Sequence, residues 1–140
     1  MKTIVIYYSL SGNTKSIAEK TAKEQNAEIY EVKTLKKAGL VKSFFQVPKA
    51  LRQKEAKIQP LAINLSNYDK IIVMTPVWAS ALAPAANNVF NALPSGKSVE
   101  VWAVSSSGNS GAKDKAKRFI ESKGCKMIEY RDIKAADLRA

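Results

Sequence analysis

Between an apolar run and a helical pattern lies Ser9-Leu10-Ser11-Gly12-Asn13-Thr14, which sets three hydroxyls and a glycine close together. Hydroxyls donate hydrogen bonds, a glycine lets main-chain amides approach a ligand with no Cβ in the way, and the first amides of a helix carry partial positive charge. That set of groups fits a phosphate. A simple helix cap would also use Asn13 or Ser11. Capping needs one such residue, however, and here four short polar side chains fill six positions. Neither a Walker A sequence nor a Gly-x-Gly-x-x-Gly fingerprint is present, so a nucleoside triphosphatase and a dinucleotide site of that type are not expected.

Two further stretches share this uncharged character, Thr75-Pro76-Val77-Trp78-Ala79-Ser80 and Ser105-Ser106-Ser107-Gly108-Asn109-Ser110-Gly111. No separate acid, base or nucleophile constellation accompanies them. The chain has no histidine and one cysteine, Cys125, so an internal disulfide is excluded and few transition-metal ligands exist. Redox chemistry would therefore come from an organic cofactor. Cys125 itself reads as a small buried side chain.

These stretches need elements to position them. Strands are predicted at residues 3–9, 28–33, 70–75, 98–105 and 126–133, from short β-branched or apolar runs. Helical spacing separates them. Ile17, Ala18, Thr21 and Ala22 form one buried stripe over 13–25, Pro84 opens a helix that Pro94 ends, and 111–122 precedes Gly124. Between 36 and 57, Leu40, Phe44, Val47 and Leu51 predict two short helical pieces meeting at Pro48. Alternating strands and helices predict a three-layer, doubly wound, five-stranded parallel sheet. The first, third and fourth strands are mostly apolar and belong in the centre, whereas Glu28, Glu31 and Lys33, and Glu129, Arg131 and Asp132, mark the edges. The order 2-1-3-4-5 follows. Its switch point, between strands 1 and 3, is where the three uncharged stretches meet.

A chain of 140 residues with 46% apolar and 25% charged content is expected to form one domain, residues 1–140. Its first apolar run, Ile4 to Tyr8, is too short for a signal peptide, no run approaches a membrane span, and the expected location is cytoplasmic. The net charge of +11 is unevenly spread: residues 33–57 hold eight Lys or Arg against Glu55, and 105–140 hold nine against five acids. Such a field steers acidic partners or nucleic acid, or is simply a solvated face. Phe44 and Phe45 among the basic residues motivate a nucleic-acid reading. Phe44, however, lies on the apolar stripe, so nucleic acid is not the expected partner.

The stretch 8–14 resembles the FMN-phosphate loop of the flavodoxin family, Thr/Ser-x-Thr/Ser-Gly-Asn-Thr. Thr75-Pro76-Val77-Trp78 followed by Ala83-Pro84 resembles the family's second flavin loop, and Ser106-Ser107-Gly108-Asn109-Ser110-Gly111 its third, Thr-Ser-Gly-Gly-Ser-Gly. All three occur in family order and spacing. The resemblance implies a flavodoxin-like fold binding FMN non-covalently, with the phosphate held by residues 9–14 and the isoalloxazine between residues 75–80 and 105–111. Trp78 is then the stacking residue, while Trp102, inside a strand, reads as core. It implies an electron carrier working with redox partner proteins, which the basic charge would steer toward acidic ones; the alternative is an NAD(P)H-dependent FMN oxidoreductase acting on quinones or similar substrates.

Flavodoxins are usually acidic, and negative surroundings hold the second one-electron potential of the cofactor low. The basic composition of this chain predicts a less negative second potential than an acidic relative has, by an amount that salt limits because charges beyond about 10 Å are screened. Potentiometric titration measures it; a typical very low value would contradict the expectation.

Overall fold

The chain is described by a computed structural model, which covers residues 2–9, 12–34, 56, 58–78 and 81–136. Within them run β1 (Thr3–Tyr7), α1 (Asn13–Glu24), β2 (Glu28–Glu31), β3 (Lys70–Trp78), β4 (Ala81–Leu82), α2 (Pro84–Asn91), β5 (Ser98–Ser105), α3 (Lys113–Ser122) and β6 (Lys126–Lys134). The long strands pair in parallel in the order β2-β1-β3-β5-β6. Ile4 lies opposite Ile71, and Ile71 opposite Val99; Ile6, Val73 and Val101 form the next row. Both faces of these central strands are covered, which is why their sequences are continuously apolar rather than alternating.

On one face α1 lays Ala18 and Ala22, one turn apart, over Val5, Tyr7, Ile72 and Met74. On the other, α2 and α3 bring Val89, Phe90, Ala116 and Ile120 against Ile4, Ile6, Ile71, Val73, Val99 and Val101. Opposite faces follow from right-handed crossovers, since β1-α1-β2 moves along the sheet one way while β3-α2-β5 and β5-α3-β6 move the other. Each fully buried large aliphatic side chain stabilises the fold by roughly 1.5–3 kcal/mol. Cys125 is among the buried residues and its thiol donates to the Pro94 carbonyl at 3.0 Å.

Some boundaries differ from the sequence reading. β3 continues past Thr75 to Trp78, so Pro76, Val77 and Trp78 are strand residues, Pro76 opposite Val104. Pro76 lies beyond the last β1 pair, Tyr7 with Met74, so its missing N–H interrupts no bond on that side. The chain then turns back through β4, an unexpected short strand antiparallel to β3 that pairs Leu82 with Val77 and Ala81 with Trp78. α3 begins at Lys113 rather than at 111, because Gly111 takes a left-handed φ of 67°. The two helical pieces expected between 36 and 57 lie, apart from residue 56, outside the described residues. Among the described residues no helix is long and apolar enough to cross a membrane.

No described helix covers the β5–β6 half of the α1 face. Trp102, only 5% exposed there, is roofed by the Arg131 guanidinium 4.4 Å from its ring centroid and donates its indole N–H to Glu100 Oε1 at 3.0 Å. Glu100 is itself buried and meets Lys70 Nζ at 2.5 Å. A charged, hydrogen-bonded network thus occupies the place of apolar cover. Removing one member of such a buried pair strands the other. Glu100→Ala is expected to destabilise the fold by about 2–4 kcal/mol, with a smaller loss for Glu100→Gln, which keeps an acceptor for Trp102. Urea unfolding checks both; equal losses would contradict the indole hydrogen bond's share.

Candidate functional site

Three segments converge at the carboxyl ends of β1, β3 and β5. Because these strands are adjacent and parallel, Ser9 and Gly12 to Thr14 after β1, Thr75 to Trp78 ending β3, and Ser105 to Gly111 at and after β5 must emerge from the same edge of the sheet. The Tyr8 amide donates to the Met74 carbonyl at 3.1 Å, which ties the start of the first segment to the second. Leu10, Ser11, Ala79 and Ser80, also expected at the site, lie outside the described residues.

The first segment carries the anion-binding features. Gly12 is the N-cap of α1 with φ 92°, a left-handed conformation that L side chains avoid. Its amide donates to Ser9 Oγ at 2.9 Å, and its carbonyl accepts from the Ser16 amide at 3.1 Å. The amides of residues 13 to 15 precede the first intrahelical bond, and no side chain among the described residues accepts from them. No acidic residue stands in the first turn to neutralise the helix dipole there. Thr14 is only 3% exposed, and its hydroxyl has no hydrogen-bond partner among the described residues. A Cβ at Gly12 would meet no atom within 4 Å, so the space beside the open amides is clear. Free donors, a buried hydroxyl and clear space are what an incoming phosphate requires.

In the second segment Thr75 is fully buried and its hydroxyl donates to the Pro76 carbonyl at 3.1 Å. Pro76, Val77 and Trp78 are half-buried. The Trp78 ring meets Tyr8 edge-on, centroids 6.1 Å apart at 75°. Burial raises the Tyr8 hydroxyl above its ordinary value of 10.0, against an opposing hydrogen bond with Thr34, so the ring beside Trp78 is neutral at physiological pH.

The third segment spends its hydroxyls on its own shape. Ser105 Oγ accepts from the Gly108 amide at 3.0 Å; Ser107 Oγ accepts from the Asn109 amide at 3.2 Å and donates to the Asn109 carbonyl at 3.1 Å. Ser106, Ser107, Asn109 and Gly111 remain exposed. Sequence reasoning missed the supports of this segment on β6. Ser110, 1% exposed, donates its amide to Asp132 Oδ1 at 3.0 Å and shares a hydroxyl hydrogen bond with Tyr130. The one available signal was a tyrosine alternating with charged residues on an edge strand.

A doubly wound α/β protein whose switch point gathers uncharged segments and the N-terminus of α1 is the class these features define. A family model described as flavodoxin matches residues 2–137, and the chain belongs to that family. Solved structures agree with the fold. A flavoprotein from Lactobacillus acidophilus in complex with FMN is 26% identical over 94% of this chain and 93% of its own, with a TM-score of 0.77. The NMR structure of that flavoprotein's apo form gives 0.67 at 26% identity, covering 97% of this chain and 95% of its own. Oxidised flavodoxin 1 from Bacillus cereus, 18% identical over 99% of this chain and 90% of its own, reaches 0.56 and shares the fold. No curated protein matches the chain significantly.

Two glycines here differ in what a side chain would cost. Gly12→Ala meets only its unfavourable φ, about 1–2 kcal/mol. Gly108→Ala adds a contact, since its Cβ would stand 3.1 Å from Lys134 Cβ at φ 77°. Urea unfolding is expected to show the larger loss for Gly108→Ala; the reverse order would contradict this packing.

Proposed function

We propose that this chain is a flavodoxin-type electron carrier that binds FMN without a covalent bond. The observation that carries the reading is the N-terminus of α1, where a left-handed Gly12, amides at 13 to 15 with no acceptor among the described residues and the buried Thr14 hydroxyl come together. Ser9, Leu10, Ser11, Gly12, Asn13 and Thr14 would hold the phosphate. Residues 75–80, with Trp78 as the aromatic contact, and 105–111 would hold the ring. FMN, when bound, supplies one- and two-electron transfer.

The residues of this chain do the remaining work. Main-chain amides and the helix dipole, with Lys15 in the first turn of α1, would offset the phosphate's charge. Thr75 and the apolar flank of Val77 and Trp78 keep water from one side of the ring site. No general acid, base or nucleophile stands among these residues, so proton or group transfer by the protein has no agent there. That favours a carrier over an FMN oxidoreductase. The basic charge favours an acidic docking face on the redox partner, and a cytoplasmic setting suits the thiol of Cys125.

Purified protein titrated with FMN is expected to quench flavin fluorescence with one equivalent bound, and to leave NAD(P)H unoxidised unless a reductase is added. Absence of quenching would overturn the flavin reading. Steady NAD(P)H oxidation by the protein alone would make it an oxidoreductase.

A further inference from the structure

Tyr130, Asp132 and Lys134 alternate along β6, so their side chains share one face of the strand. All three press on the third site segment. The Asp132 carboxylate accepts from the Ser110 amide at 3.0 Å, and the Tyr130 hydroxyl pairs with Ser110 Oγ, which also accepts from the Ala112 amide at 3.3 Å. Lys134 lies against Gly108 so closely that a Cβ there would sit 3.1 Å away. Ser110 is 1% exposed, and β6 and the loop satisfy its amide and its hydroxyl. Burial also raises the Tyr130 hydroxyl above 10.0, opposed by the Ser110 hydrogen bond and helped by Asp132, which keeps it a neutral partner.

We propose that Asp132 and Tyr130 are positioning residues for the ring-binding loop: acting through Ser110, they fix residues 105–111 in the conformation that receives the cofactor's ring. The proposal rests on the flavin reading above. It assigns the carboxyl half of an edge strand a binding role, although its residues lie outside the three loops. The segment's internal hydrogen bonds, Ser105 with Gly108 and Ser107 with Asn109, shape only its tip. Its base is held from β6. An order imposed before binding is an entropy cost the ligand does not meet, and loss of that order weakens affinity.

The test compares FMN with riboflavin, which carries the ring but no phosphate, by fluorescence titration. Asp132→Ala is expected to weaken both flavins by the same factor, about tenfold, or about 1.4 kcal/mol. Tyr130→Phe, which removes one hydroxyl, should weaken both by about threefold. Asp132→Asn keeps an acceptor oxygen for the Ser110 amide and should recover most of the loss. Ser9→Ala, at the phosphate segment, should weaken FMN and leave riboflavin unchanged. A general loss of fold would not return with Asn or spare the FMN-to-riboflavin ratio. If Asp132→Ala does not fold, Tyr130→Phe and Asp132→Asn carry the test. Parental affinity in Asp132→Ala and Tyr130→Phe, an Asn variant as weak as Ala, or a loss seen with FMN alone would each overturn the clamp. A folded parent that binds neither flavin would overturn the flavin reading before any variant is made.

Discussion

Parallel pairing of β1, β3 and β5 is the constraint on which the rest of this molecule depends. Parallel strands cannot be joined by tight turns, so each must be followed by a long connection, and every connection leaves from the same edge. The register of Tyr7 with Met74 and of Thr75 with Ala103 then sets where each segment begins. Because β2 and β3 lie on opposite sides of β1, a gap opens between the segments leaving β1 and β3. Buried Ile, Val and Met rows pack against α1 on one face and against α2 and α3 on the other, and that packing holds the register.

What was legible in the sequence follows from the same constraint. Strands buried on both faces must be continuously apolar, so Ile4 to Tyr8 and Ile71 to Met74 announced themselves, and the charges of Glu28 and Glu129 marked the edges. The strand-to-helix junction at residues 9–14 was also readable as a candidate phosphate segment, because hydroxyls and a glycine form a local pattern there. Less readable was the hairpin of β3 and β4. Pro76 has a loop-like identity, and its pairing with Val104 is a tertiary fact that no local pattern encodes. The hold of Asp132 and Tyr130 on Ser110 was hidden for the same reason, spanning 22 and 20 residues.

The polar groups divide into two kinds. Lys70, Glu100 and Trp102 satisfy one another, and Arg131, paired with Glu129, lies over the Trp102 ring on a sheet face where no described helix lies, so they belong to the fold. The amides of residues 13 to 15 and the hydroxyl of Thr14 have no such partners among the described residues. Buried or capped positions normally satisfy their donors within the protein. Donors left open among the described residues, at a switch point beside a left-handed glycine, are the groups that the proposed phosphate contact would use.

The central claim is that these open donors hold the phosphate as a dianion. Phosphorus NMR of the protein with bound FMN, followed between about pH 8 and about pH 5, tests it most directly, since a free phosphate monoester takes up a proton near about pH 6. Amides that donate to the dianion hold that proton off. The bound resonance is predicted to keep one position across the range. A resonance that moves with pH as the free cofactor's does would contradict the claim.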